Sequence, residues 1–89
     1  MRAQIVAGNW KMNNNLQEGL NLSSEIVRLV YEEPLSNIKI IVAAPFVHLA
    51  QVNKLINGQQ SIYLGAQNCH QQDSGAFTGE ISVSMLKSC

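Results

Sequence analysis

The chain has 89 residues, 46% of them hydrophobic, and six basic and six acidic residues leave a formal net charge of +0. This composition excludes disordered and collagen-like chains, and the missing basic stripe excludes the electrostatic footprint of a nucleic-acid binder. Cys69 and Cys89 match neither a disulfide framework nor a metal-ligand spacing, and the longest apolar runs, such as "IIVAAPFV", are too short to cross a bilayer. No leader-like pattern opens the chain, so the expected compartment is a reducing cytoplasm, with no membrane partner.

The first predicted element is a strand at "AQIVAGN", near residue 5, whose Ile5, Val6 and Ala7 read as buried on both faces. A helix follows over "LQEGLNLSSEIVRLVYEE", where Leu16, Leu20, Val27 and Val30 recur at three- and four-residue multiples, and Pro34 ends it. The second strand, "IKIIVAAP", is almost continuously apolar through Ile38, Ile40, Ile41 and Val42, as a covered parallel strand would be. In "PFVHLAQVNKLING" Pro45 suits a first helical turn, Leu49, Val52 and Ile56 share one face, and Asn57-Gly58 stops the helix. A third strand, "SIYLGAQN", comes next. A last helix is expected to start near Glu80 or Ile81, with Met85 one turn on.

The expected order is therefore βαβαβα, in units of about 25–35 residues, the size of parallel crossovers. No linker or low-complexity tract divides the chain. Three parallel strands are an incomplete layer, because an all-parallel sheet needs both faces covered and, in a barrel, further strands to close it. The expectation is a single incomplete domain over residues 1–89.

One connection is long. "QNCHQQDSGAFTGE", residues 67–80, has little periodicity, and structureless loops of about 12–15 residues are uncommon in compact domains unless functional. At its tip Phe77 follows Ala76 between Gly75 and Gly79. Two readings stand open: the ring docks on another surface, or the loop folds back on its own chain.

Polar groups at the C-terminal ends of parallel strands converge on one rim, where α/β sites are built. Here the ends offer Asn9 and Lys11, then Pro45 and Phe46, then Gln67 and Asn68. An ammonium and a carboxamide together suit an anionic ligand or a developing oxyanion. On position alone, Lys11 reads as simply the first solvated residue past a strand, with a functional role the minority reading. His48 reads as packed or solvent-facing, and His70 has no metal-spaced companion. Glu80 reads as a carboxylate at the positive end of the third helix.

These residues resemble a known family. "AGNWKMN" is similar to the first strand-loop signature of the triosephosphate isomerases, and "GAQN" at 65–68 and "GAFTGEIS" at 75–82 resemble their third strand end and long third loop. "APF" at 44–46 is compatible with the second strand end. The resemblance covers essentially the whole chain but only about the first third of a (β/α)8 TIM barrel, for which about 250 residues is typical. It implies a cytoplasmic enzyme of glycolysis and gluconeogenesis that interconverts two triose phosphates without cofactor or metal. It implies substrate contacts by Asn9 and Lys11, with Lys11 the catalytic group among them. It also implies a homodimer through the 67–80 loop, in which Gly75, Ala76, Phe77, Thr78, Gly79 and Glu80 interlock with a second subunit and Thr78 supports that subunit's asparagine and lysine. The family's glutamate base and histidine electrophile belong to segments after residue 89. The isolated piece is therefore expected to be inactive. Two other readings carry less of the pattern: a non-enzymatic, self-associating barrel fragment, and a small phosphate-ligand binding module resting on Asn9 and Lys11 alone.

Overall fold

A computed structural model describes residues 2–34 and 36–89. The β-branched runs form three strands, β1 (Gln4–Asn9), β2 (Ile38–Ala44) and β3 (Ile62–Ala66), in one parallel sheet of order β1-β2-β3. In register, Gln4 lies beside Ile38 and Asn9 beside Ala43, while Ile40 lies beside Ile62 and Ala44 beside Ala66. Between the strands run α1 (Leu16–Glu32) and α2 (Leu49–Ile56), and α3 (Val83–Lys87) follows β3. The element order is the one expected from periodicity.

α1 begins at a reciprocal cap. The Asn15 side chain accepts from the Glu18 backbone N–H at 2.9 Å, and the Glu18 carboxylate accepts from the Asn15 N–H at 2.9 Å. Two otherwise orphaned donors are thereby satisfied at the helix entrance. The helix buries Gly19 and Ser23, one turn apart, and continues the same stripe with half-buried Leu20, Ile26, Val27 and Val30. Leu16 was expected on that stripe but is exposed, because the face turned inward at the first two turns is made of the smallest side chains.

Gly19 is there because the seam is tight. A Cβ at this position would lie 2.8 Å from His48 Cδ2 and 3.2 Å from Trp10 Cζ3. No side chain fits without displacing a ring.

The core sits between β2, β3 and α2. Trp10, Val42, Ala44, Leu49, Val52, Ile56 and Ile62 are buried together. Val42 and Ala44 alternate with half-buried Ile41 and Ala43, as a pleated strand with one face under helices must. Pro45 precedes a single 3-10 turn at Phe46–His48, and α2 starts only at Leu49, so the proline stands outside the helix rather than in its first turn.

Two expectations are corrected. β1 is exposed at all six positions, with Ile5 and Val6 60% and 59% accessible on opposite faces. The helices pack over β2 and β3, and among the described residues no strand pairs with the outer edge of β1. The Cα radius of gyration is 14.2 Å, against about 12 Å for a compact chain of this length. The last helix starts at Val83 rather than near Glu80, because the Ser82 hydroxyl caps it by accepting from the Met85 N–H at 3.2 Å. Glu80 lies in the loop and is paired there.

Candidate functional site

The C-terminal end of β1 makes an abrupt turn. Trp10 donates its backbone N–H to Ala43 O at 3.1 Å, prolonging the β1–β2 ladder by one residue, and its ring enters the core. The chain then reverses at Lys11, whose φ of 56° is in the left-handed region, a costly conformation for a residue with a Cβ. Three side-chain carboxamides hold it there. Asn9 Oδ1 accepts from the Lys11 N–H at 2.8 Å. Asn13 Nδ2 donates to Trp10 O at 2.8 Å. Gln67 Nε2, from the end of β3, donates to both Lys11 O at 2.9 Å and Ala43 O at 3.0 Å.

Gln67 thus ties the ends of all three strands together. Its amide links the end of β3 across β2 to the β1 turn. The Lys11 side chain is left exposed, and among the described residues it has no salt-bridge partner. Asn9 uses its oxygen locally and keeps its Nδ2 donors for other work. An ammonium and an amide donor on a braced turn can meet an oxyanion with little reorganisation.

Within this chain the long loop folds back on itself and leaves half of the Phe77 ring exposed. The His70 backbone N–H donates to Ile81 O at 2.7 Å, and His70 Nδ1 lies 2.9 Å from Glu80 Oε2. The Phe77 ring tilts against the imidazole, with centroids 4.4 Å apart, and remains 50% exposed. Gly75, at φ 141°, places its Cα where a Cβ would be 2.8 Å from the Phe77 ring, and Gly79 turns the chain at φ 83°. Thr78 is exposed between them, and within this chain Gly75–Glu80 makes no hydrogen bond to Asn9 or Lys11.

The structure therefore brings Asn9 and Lys11 together with Gln67 and leaves Gly75–Glu80 as a separate, self-braced projection. Sequence reasoning placed Gln67 at the end of the third strand, on the same rim, but gave it no bracing role, and it did not identify Asn13 or the His70–Glu80 pair. A carboxamide at the C-terminal end of a parallel strand was the available signal for Gln67. Among the described residues no three His, Cys, Asp or Glu side chains converge as a metal site, and no helix is long and apolar enough to cross a membrane.

Comparison with known proteins finds one family. The family model described as triosephosphate isomerase matches residues 4–89. A triosephosphate isomerase of Amoebophilus asiaticus is 50% identical over 88 residues, covering 99% of this chain and 35% of the relative. Those of Cytophaga hutchinsonii and Alkaliphilus oremlandii are 49% and 45% identical, with 99% and 98% of this chain and 34% of each relative covered. The chain thus spans about a third of the length of the curated relatives it matches, their N-terminal third. With the family model matching residues 4–89, the chain belongs to the triosephosphate isomerase family.

Proposed function

We propose that these residues form part of a triosephosphate isomerase, which interconverts dihydroxyacetone phosphate and D-glyceraldehyde 3-phosphate by proton transfer through an enediolate, in the cytoplasm, in glycolysis and gluconeogenesis. The observation that carries this reading is the Gln67-braced turn, which presents Lys11 and Asn9 at the C-terminal ends of parallel strands in a chain of this family. Lys11 supplies a fixed positive charge for the phosphate dianion and for the oxygen that becomes negative as the enediolate forms. Asn9 donates a hydrogen bond beside it. The Lys11 side chain is exposed, and the bonds from Asn9, Asn13 and Gln67 hold the left-handed turn that carries it. The family reading implies neither cofactor nor metal.

On this reading the sheet continues from the uncovered edge and faces of β1 into a (β/α)8 barrel, of which residues 1–89 are one incomplete domain. The base and electrophile lie in segments beyond these residues. Gly75–Glu80 is the interlocking element of a homodimer: its internal His70–Glu80 and His70–Phe77 contacts hold it in shape before it meets a second subunit, which lowers the ordering cost of association.

The test joins two measurements. The gene-length chain should isomerise triose phosphates, and Lys11→Met should lower kcat/KM at least about a hundredfold, the scale of losing one oxyanion-stabilising donor. Material confirmed by mass to consist of residues 1–89 should show no turnover. Turnover by that piece, or an unaffected Lys11→Met enzyme, refutes the reading. A second outcome is motivated by the exposed Ile5 and Val6 and the unpaired β1 edge: residues 1–89 alone should self-associate in sedimentation rather than remain a monodisperse monomer.

A further inference from the structure

Asn57-Gly58 ends α2, and the pair also has a chemistry of its own. Asn57 is the one asparagine in the sequence that is followed by glycine. Both residues are exposed, in an exposed run, 57–60, that leads toward β3. The Asn57 backbone N–H donates to Asn53 O at 2.8 Å, while among the described residues its carboxamide makes no hydrogen bond. The Gly58 N–H is likewise unpartnered among them, and Gly58 stands at φ 88° with no Cβ beside its nitrogen.

A side-chain amide carbon and the backbone nitrogen of the next residue can close a five-membered ring once they approach each other. The fold holds Asn57 extended, at ψ 129°, so closure requires rotation about its Cα–C bond. One hydrogen bond spans that rotation, from the Gln59 N–H to Ile56 O at 3.0 Å. The other asparagines are less open to this reaction. Asn9, Asn13, Asn15, Asn21, Asn37 and Asn53 engage their carboxamides in hydrogen bonds. Asn14 precedes Asn15, whose N–H is taken by the Glu18 carboxylate. Asn68 precedes Cys69, whose Cβ crowds the attacking nitrogen.

We propose that Asn57 is a site of spontaneous covalent modification through a cyclic imide with Gly58. The Gly58 nitrogen gives up its proton and bonds to Asn57 Cγ, the Cγ–Nδ2 bond breaks, and ammonia leaves with that proton. Water then adds to either imide carbonyl and breaks its bond to the Gly58 nitrogen. Opening at Cγ leaves aspartate. Opening at the main-chain carbonyl leaves isoaspartate, whose main chain runs through the former side chain and is one carbon longer. Water is the only co-reactant. Either product puts a carboxylate at the negative end of α2, where an anion is disfavoured. The longer link also loosens the approach to β3, where Ser61 O accepts from the Ile40 N–H at 2.7 Å. The proposal does not draw on the reading of Asn9 and Lys11 given above.

The experiment incubates the gene-length parent and Asn57→Gln proteins in mildly alkaline heavy-oxygen water, folded and in guanidinium chloride, and follows proteolytic peptides by mass spectrometry. In the folded parent, Asn57 should convert before Asn14 and Asn68, to two isomers that each carry one heavy oxygen. The folded reaction should be slower than the denatured one by no more than about tenfold, the most that one spanning hydrogen bond supplies. In Asn57→Gln the signal at this position should be lost, because the longer side chain closes a six-membered ring far less readily. Greater slowing in the folded parent, earlier conversion at Asn14 or Asn68, or aspartate without isoaspartate overturns the proposal. No readout uses catalysis, so failure here leaves the proposed activity standing.

Discussion

Replacing Gln67 by glutamate is the sharpest perturbation of the rim. The carboxamide donates to Lys11 O at 2.9 Å and Ala43 O at 3.0 Å, and a carboxylate of the same shape would turn an acceptor toward both carbonyls. Two hydrogen bonds are lost, each worth about 0.5–1.5 kcal/mol net. The added charge repulsion is muted, since Gln67 is solvent-exposed and water screens it. The expected destabilisation is about 2 kcal/mol, which in a chain of about 250 residues lowers Tm by about 4–8 °C. Gln67→Met, which removes the donors without adding charge, should fall between the parent and Gln67→Glu. The substituted carboxylate faces two acceptors in the folded state, so its neutral form is favoured there and its penalty is present above the ordinary carboxylate range and relieved on acidification. Urea unfolding of the gene-length chain at pH 7 and pH 4.5 measures both effects. A Gln67→Glu protein within about 0.5 kcal/mol of the parent at pH 7, with the same pH dependence, refutes the bracing role.

Further outcomes follow from local geometry. Gly19→Ala gains about 1 kcal/mol of helix propensity but drives a methyl against the His48 and Trp10 rings, so a net loss of about 1–2 kcal/mol should appear in thermal unfolding. Asn15→Ala removes one half of the α1 capping box and should cost about 1 kcal/mol by the same measurement. The Glu25 carboxyl is held below the ordinary carboxylate range by its hydrogen bonds from Arg28, with the Arg28 charge adding to them. A carboxyl 13C titration should therefore place its midpoint below that of a free glutamate, and the small support it lends α1 is present at neutral pH and lost as pH falls through that midpoint. Arg28→Gln should return the midpoint to the ordinary range.

Much of the fold was legible because local patterns agreed with it. The apolar runs around residues 5, 40 and 63 became strands, and Leu49, Val52 and Ile56 became the buried face of α2. Exposure of β1 was not legible, since Ile5 and Val6 have the composition of a covered strand and only the placement of the helices over β2 and β3 leaves them open. The start of α3 was misread for a related reason. Glu80 suits a first helical turn by charge, yet His70, ten residues earlier in the chain, takes its carboxylate, and Ser82 caps the helix instead.

The chemistry divides along the same line. Residue types in order sufficed to nominate Asn9 and Lys11, and the spacing of "GAQN" and "GAFTGEIS" tied them to a family. Tertiary structure alone decided that Gln67 reaches across two strands to hold the left-handed turn at Lys11, and that His48 is sealed between Gly19 and Trp10. The physical reason is reach. Periodicity and turn chemistry act over a few residues and are written in the sequence, whereas a hydrogen bond joining positions 11 and 67, or a ring pressed against a helix backbone, exists only once distant segments pack.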